Sequence, residues 1–366
     1  MVIPWLRDLG PNWYATVMGT AIVANAGAAL PVRPPGLLPA CETVWVLSVL
    51  LLAALLVARA GHWFHHSDRA RAQLLDPAVA PFYGCLAMAL LAVGIGSLSV
   101  GPGVVGERAA TVTGAVLFAV GTVVALVVAV AIPYLMITRH KVAPGSASPV
   151  WLLPVVAPMV SAAAGPMLVG RLPAGPWRAA LLVACYGMFG LSLLAVLVIL
   201  PFVLARLVRR GPLPLALAPT LFLVLGPLGQ STTAVNKLAD VAPTAVSAPY
   251  ASGLGVFAVV YGVPVLGFAL LWLAVAGALV ARAARRGMPF AMTWWSFTFP
   301  VGTCVTGAAG LSAHTGLPAL EWLAVGLYVL LIAAWSVAGV RTARGLVSGA
   351  LLAVPRAPLP ATARTT

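Results

Sequence analysis

The stretch from Gly287 to Gly316 reads GMPFAMTWWSFTFPVGTCVTGAAGLSAHTG, with aromatic residues crowded into its first half and small residues into its second. Six of its residues recur at spacings of three and four and would share one face of a helix: Met292, Trp295, Phe299, Thr303, Thr306 and Gly310. Along that face a bulky aromatic ring is followed by hydroxyls and then by a bare glycine, and Pro300 interrupts the backbone ladder beside it. This pattern is typical of a constriction in a membrane pore, and also of a kinked, packed membrane helix.

The composition decides the class of protein. Hydrophobic residues make up 62% of the 366 residues and charged residues only 8%, and the mean hydropathy is +1.05. These values exclude a soluble domain and indicate a polytopic membrane protein. The net charge of +14 does not indicate nucleic-acid binding, because the basic residues form short clusters between apolar runs. The four cysteines have no CxxC spacing, so no disulfide, metal site or cofactor is predicted.

Apolar runs of about 20 residues, the length that crosses a bilayer, predict ten membrane spans. They lie at 12–30, 42–60, 80–100, 109–137, 149–169, 178–205, 214–238, 251–281, 289–313 and 319–341. Ten alternating spans place 16 of the 21 Lys and Arg residues on the side of the chain ends. Because basic loops face the cytoplasm, we expect cytoplasmic N- and C-termini in a plasma membrane, the inner membrane if the source is bacterial.

The same reading divides the chain into three parts. Residues 1–11 are predicted to form a cytoplasmic N-terminus, and residues 12–341 the transmembrane domain. Residues 342–366 are predicted to form a cytoplasmic tail, which ends in the Pro-rich sequence PRAPLPATARTT. That sequence has too little apolar surface to pack, so its end is expected to be disordered.

The odd-numbered spans carry related runs of small residues, whereas the even-numbered spans are rich in Leu and Val. The runs are MGTAIVANAGAA from Met18, LAVGIGSLS from Leu91, APMVSAAAG from Ala157, GPLGQSTTAVN from Gly226 and VGTCVTGAAG from Val301. Small residues are enriched where membrane helices approach closely. The sequence therefore predicts an all-α fold of five helical hairpins, with odd helices inside and even helices outside around a central pore. A solid bundle is the alternative that periodicity leaves open.

Polar residues on the odd helices indicate what such a pore would carry. The predicted pore-lining residues are Thr20, Ser97, Ser161, Gln230, Thr233, Thr303 and Thr306. Lys237 continues the face of Gln230 and Thr233 towards the predicted outer mouth, and every Asp and Glu lies in a loop or at the end of a span. Hydroxyls, an amide and one ammonium favour anions, although Lys237 is equally interpretable as a residue snorkelling to the interface. The predicted helix kinks are at Pro154, Pro158, Pro227 and Pro300.

Two further features involve histidines. His62, His65 and His66 form an HxxHH cluster, which we interpret as a solvated loop near lipid headgroups; metal binding is the alternative. His314, near the predicted outer end of the ninth span, is the one titrating group expected beside the pathway.

Five motifs in order from about residue 11 to residue 340 resemble one family of transporters. The motifs are NWYATVMGTAIVANA from Asn12, DPAVAPFYG from Asp76, WLLPVVAPMVSAAAG from Trp151, GPLGQS from Gly226 and PFAMTWWSFTFPVGT from Pro289. They are similar to the tellurite-resistance/dicarboxylate transporter family, which is related to the slow-type, voltage-dependent anion channels. The resemblance implies ten helices in five hairpins, a pore lined by the odd helices, a phenylalanine gate on the ninth helix and a homotrimer.

These observations predict a protein that transports a small anion, such as malate or another C4-dicarboxylate, sulfite, tellurite or chloride, through a gated pore. Phe299 is the expected gate, and Phe297, about 200° away around a helix, is the alternative. Within transport, the rival is a proton-coupled C4-dicarboxylate carrier. A membrane-embedded enzyme or a sensor would need a reactive constellation or a sizeable soluble domain, and the sequence contains neither.

Overall fold

The computed structural model describes residues 7–143, 145–349 and 351, and this part of the chain is helical, without strands. Its α-helices are α1 (Tyr14–Ala28), α2 (Leu37–His65), α3 (Ser67–Leu75), α4 (Gly84–Ser99), α5 (Pro102–Val105), α6 (Glu107–Thr138), α7 (Leu152–Ala164), α8 (Pro166–Val169), α9 (Pro176–Arg210), α10 (Leu225–Val241), α11 (Ala248–Arg285), α12 (Phe299–Thr315) and α13 (Pro318–Val347). The 3₁₀ helices are Pro11–Trp13, Ala80–Tyr83, Pro149–Trp151, Leu215–Val224, Ala242–Thr244 and Met292–Phe297. The all-α class is thereby confirmed.

Eight helical segments of the described residues are long and apolar enough to cross a bilayer, and they correspond in order to eight of the ten predicted spans. A multi-pass membrane protein is therefore confirmed. The remaining two predicted spans contain α1 and α12, which are only 15 and 17 residues long. A 3₁₀ helix precedes each of them, so the count of ten spans stays a prediction.

The prediction of one continuous helix over 289–313 was wrong. The chain forms the 3₁₀ helix Met292–Phe297, breaks at Thr298 and begins α12 at Phe299. Pro300 therefore lies in the first turn of α12, where its missing N–H has no partner to lose. Met292 and Trp295 do not continue the stripe of Phe299, and only the part of that stripe within α12 survives.

Burial divides the long helices into two kinds. In the most apolar stretch of Ala80–Ser99, Pro149–Val169 and Leu215–Thr244, between 72% and 94% of the residues are buried. In the segments that contain α2, α6, α9, α11 and α13, the corresponding share lies between 22% and 28%. In α1, 13 of the 15 residues are buried, and in α12, 12 of the 17. The small-residue helices thus lie inside, and the Leu- and Val-rich helices expose their side chains to the surroundings.

The buried helices contact one another in a closed ring, in the order α1, α4, α7, α10, α12 and back to α1. Each also packs on the exposed long helix that follows it in the chain: α1 on α2, α4 on α6, α7 on α9, α10 on α11 and α12 on α13. Glycine allows the closest approach within the ring. A methyl group added at Gly229 of α10 would lie 2.5 Å from the backbone nitrogen of Cys304 on α12.

Three expectations concern the side of the membrane on which the chain ends were placed. The predicted boundary at 341/342 lies inside α13, which continues to Val347. The Pro-rich end of the tail lies outside the described residues. The HxxHH cluster is not a solvated loop: His62 and His66 are buried at the end of α2, with ring centroids 6.2 Å apart, and only His65 is exposed. The short helix α3 begins directly after His66 and packs against α2, so this segment is a helix junction rather than a loop. Among the described residues, no three His, Cys, Asp or Glu side chains are grouped to hold a metal ion.

Candidate anion pathway

A cavity of about 330 Å³ opens inside the ring, and every one of the five buried helices contributes to its wall. We call it the upper cavity. Its apolar wall includes Ile22, Ala92 and Val160. Its polar side chains are Asn25, Arg33, Ser99, Gln230, Thr233, Lys237 and Thr306. The ring therefore encloses a space that is large enough for a hydrated ion and rich in hydrogen-bond donors.

The charges of the upper cavity have one sign. Arg33 and Lys237 line it, and no Asp or Glu occurs among its described lining residues. Lys237 is half-buried in α10. The nearby Asp240 lies outside the cavity and accepts a contact from His314, with 2.8 Å between its Oδ1 and the ring Nε2. Two cations in a partly enclosed space produce a positive potential that attracts anions and repels cations.

Phe299 forms the floor of the upper cavity. Its side chain is only 3% exposed, and it lines both the upper cavity and a second cavity of about 20 Å³. We call the second one the lower cavity. Its wall is apolar and consists of Met18, Met88, Leu152, Leu153, Val156, Leu223, Gly226, Pro227, Phe299 and Pro300. The phenyl ring of Phe299 thus lies where the two cavities meet.

Phe297 lies on a different side of the bundle. Its ring packs edge-on against Phe222, with ring centroids 4.8 Å apart and an interplanar angle of 87°. The ring of Trp294 also packs against it, with 5.9 Å between the ring centroids. Phe297 lines an apolar groove together with residues of α13 and lines neither the upper nor the lower cavity. Two residues of separation and the break at Thr298 turn the two phenylalanines away from each other.

Thr233 and Thr306 form a hydroxyl pair on the wall of the upper cavity. Their Oγ1 atoms are 2.7 Å apart, and each also contacts helix carbonyls: Thr233 that of Gly229 at 3.0 Å, and Thr306 that of Thr303 at 3.0 Å. Gln230 lies one turn earlier on α10 and is 3% exposed. The sequence-predicted face of Gln230, Thr233 and Lys237 is thus brought together with Thr306 around one space.

The other four predicted lining residues do not line this cavity. Thr20 contacts the outer helix α13, where its Oγ1 accepts a hydrogen bond of 3.1 Å from Nε1 of Trp335. Ser161 accepts a hydrogen bond of 3.0 Å from Thr122 of α6. Ser97 donates to the carbonyl of Val93 within its own helix at 3.0 Å, and Thr303 to that of Pro300 at 2.7 Å. Their hydroxyls are satisfied by outer helices or by local carbonyls.

The four prolines predicted as kinks occupy two kinds of position. Pro158 lies inside α7, where a missing N–H bends a helix. Pro154, Pro227 and Pro300 lie within the first three residues of α7, α10 and α12. Those three are helix starts that follow a 3₁₀ helix rather than mid-helix kinks.

Sequence reasoning missed three polar lining residues, Asn25, Arg33 and Ser99. Asn25 donates from Nδ2 to the carbonyl of Ala92 at 2.9 Å, while its Oδ1 has no hydrogen-bond partner. Arg33 lies in the loop between α1 and α2. An amide inside the small-residue run from Met18 and a basic residue in an otherwise weakly charged loop were the available signals.

Comparison with known proteins identifies the family. The sequence model of the voltage-dependent anion channel (SLAC1) family matches residues 8–343. An uncharacterised transporter of Methanocaldococcus jannaschii is 25% identical over 346 residues, which cover 94% of this chain and 95% of that protein. A sulfite efflux pump of Trichophyton rubrum is 26% identical over 341 residues, which cover 90% of this chain and 88% of that protein. These relatives are transporters rather than enzymes. The resemblance of the five motifs is confirmed: the chain belongs to the voltage-dependent anion channel (SLAC1) family, a family of membrane transporters and channels for anions.

Proposed function

We propose that the protein conducts small anions through the upper and lower cavities and that Phe299 is the gate between them. The observation that carries this proposal is the position of Phe299, whose ring separates a space lined by Arg33 and Lys237 from an apolar constriction. Anions gather in the upper cavity by electrostatic attraction, and the phenyl ring forces them to shed water before they pass. Gln230, Thr233 and Thr306 supply hydrogen bonds along the wall.

In the bilayer, we propose ten crossings as five hairpins, with α1 and α12 as the two short inner crossings. The excess of basic residues at the ends of α2, α6, α9, α11 and α13 supports cytoplasmic termini. The family resemblance supports a plasma-membrane or bacterial inner-membrane location and a homotrimer with one pore in each subunit.

The transported anion belongs to a short set of candidates. The named function of the Trichophyton rubrum relative supports sulfite, and the motif resemblance supports tellurite, chloride and C4-dicarboxylates such as malate. All are small anions that match the cationic upper cavity.

Electrical recording from the purified protein in planar bilayers tests the proposal. With asymmetric potassium chloride, then sulfite and malate, reversal potentials should lie near the equilibrium potential of the anion. A reversal potential near that of potassium would refute an anion pathway, and relative permeabilities would rank the candidate substrates.

A proton-coupled C4-dicarboxylate carrier is the second candidate, and the contact between His314 and Asp240 favours it. Asp240 of this pair interacts electrostatically with Lys237, which lines the upper cavity, so a positive charge on His314 would lie close to that cavity. In proteoliposomes, a carrier would accumulate malate against its gradient when only a pH gradient is imposed. A channel or uniporter would equilibrate malate without accumulation. In that case the substitution His314→Gln would leave the flux of malate unchanged.

A further inference from the structure

A recess separate from the upper and lower cavities opens on the outer surface of the bundle, and its lining is apolar. It has a volume of about 300 Å³ and an apolar lining that includes Phe222, Trp294, Phe297, Leu330 and Val337. We call it the lateral groove. Leu330 and Val337 are 42% and 45% exposed, so the groove opens towards the lipid rather than towards the ring. Aromatic residues of the 3₁₀ helices form one wall, and α13 forms the other.

One cation stands at the end of this groove. Leu330, Ala334, Val337 and Arg341 follow one another at spacings of three and four, so they share a face of α13. The guanidinium carbon of Arg341 lies 4.6 Å from the ring centroid of Trp294. Arg341 is exposed, and among the described residues no Asp or Glu lies within ion-pair distance of it. The apolar lateral groove therefore ends at the guanidinium of Arg341, which stacks on Trp294 and has no acidic partner among the described residues.

The orientation of Trp294 marks the level of the membrane surface. Its Nε1 donates a hydrogen bond to the carbonyl of Pro289 at 3.0 Å. Its ring lines the lateral groove and stacks against the guanidinium of Arg341. Tryptophan with one polar edge and one apolar face is typical of the boundary between acyl chains and headgroups. The seven helical steps from Leu330 to Val337 span about 10 Å, which is most of one leaflet of a hydrocarbon core of about 30 Å.

We propose that the lateral groove binds an anionic phospholipid, with an acyl chain between α13 and the aromatic wall and the headgroup phosphate on Arg341. Charge complementarity supports this occupant, because a zwitterionic lipid brings its own cation to the guanidinium. A planar fork of donors suits a phosphate. The inference requires only a bundle that spans a bilayer, so it stands independently of conduction and gating.

Native mass spectrometry of the full chain in detergent, with phosphatidylglycerol and phosphatidylcholine of equal chain length, tests the proposal. The wild type should retain phosphatidylglycerol preferentially. Substitution Arg341→Gln should weaken its binding about fivefold, the effect of losing one cation beside an anionic headgroup, and leave phosphatidylcholine unaffected. Substitution Ala334→Phe should fill the groove and remove one bound lipid of either type per chain. Substitution Arg209→Gln, at the exposed end of α9, is the charge-matched control and should change neither.

Three outcomes would overturn the proposal. An undiminished preference for phosphatidylglycerol in Arg341→Gln would mean that the guanidinium does not select the headgroup. An unchanged lipid count in Ala334→Phe, confirmed as folded by its melting temperature, would mean that no acyl chain occupies the groove. If Ala334→Phe, or Val337→Phe as a second filling variant, instead changes the oligomeric mass at constant lipid count, the groove is covered by another copy of the chain.

Discussion

The upper and lower cavities share Phe299 but differ in nearly every physical property. The upper cavity encloses about 330 Å³ and is lined by two cations, amides and hydroxyls. The lower cavity encloses about 20 Å³ and is lined by Met, Leu, Val, Gly, Pro and Phe. A water molecule needs about 10–15 Å³, so the lower cavity holds about one. Under the proposed function, the upper cavity would attract the anion and the lower cavity would resist its passage.

A single helix carries much of this difference. Along α10, Gly226 and Pro227 line the lower cavity, while Gln230, Thr233 and Lys237 line the upper one. Polarity therefore rises over about three turns, from bare backbone to amide, hydroxyl and ammonium. Under the proposed function, selectivity and gating would therefore depend on opposite ends of α10, and substitutions could address them separately.

The largest expected effect is that of Phe299→Ala, which removes the ring between the cavities. With the hydrophobic constriction widened, we expect anion conductance to rise at least about tenfold, the equivalent of lowering a barrier by about 1.4 kcal/mol. Single-channel or liposome-flux measurements on protein with a wild-type melting temperature provide the check.

Phe297→Ala is the matched control for this substitution. It removes the edge contact with Phe222 on the lipid side of α12 and should lower stability, by up to about 3–5 kcal/mol for a well-packed ring, without raising conductance. If Phe297→Ala opens the pathway while a folded Phe299→Ala does not, Phe297 is the gate.

Lys237→Gln should have the next largest effect, confined to low salt. Loss of one cation from the upper cavity should reduce anion flux about fivefold at ~0.01 M ionic strength, from a Coulomb energy of about 1 kcal/mol. At 1 M, where the Debye length is about 3 Å, the two proteins should conduct equally. The control is the substitution Arg108→Gln at an exposed position of α6, which should leave anion flux unchanged. Equal flux at every salt concentration would assign Lys237 to snorkelling.

Sequence patterns predicted the relative positions of residues on one helix better than the rotation of that helix. Gln230, Thr233 and Lys237, which the spacing puts on one face of a helix, all line the upper cavity. The same reasoning chose Thr20 on α1, but Ile22, about 200° away, lines the cavity instead. Periodicity defines which residues share a face, but it does not show that the face of Thr20 packs on α13, where Trp335 donates a hydrogen bond to its hydroxyl.

The sequence patterns also failed to predict where a helix is interrupted. The inner ring and its long outer partners follow from small residues and apolar length, which are averaged over many positions. The break at Thr298 depends on one proline and on local 3₁₀ geometry, which no average detects. Arg33 was missed for a related reason, because a loop residue reaches the cavity only through the path of the folded chain.

Gly226→Ala tests whether the lower cavity limits the flux of anions. A methyl group at this position meets no atom within 4 Å, so it projects into the lower cavity without a clash. In the Phe299→Ala background we expect flux to fall roughly threefold, the equivalent of about 0.7 kcal/mol, with unchanged or slightly raised stability. Gly190→Ala on α9, which is equally unobstructed, should leave flux unchanged. An equal loss in both variants would mean that the lower cavity does not limit flux.

Thr306→Val should have the smallest effect, because its hydroxyl already has partners. The Thr306 hydroxyl has one proton, and the carbonyl of Thr303 at 3.0 Å competes with a passing anion for it. A net hydrogen bond contributes about 0.5–1.5 kcal/mol, and the competition favours the low end, so anion affinity should fall only about twofold. Thr303→Val is the matched control: it removes a fully buried hydroxyl outside the cavity and should lower the melting temperature without altering relative permeabilities. Concentration dependence of the current gives the affinity. A tenfold loss in Thr306→Val would mean that the hydroxyl turns towards the anion as a direct ligand, and the upper cavity would then select by hydrogen bonding as strongly as by charge.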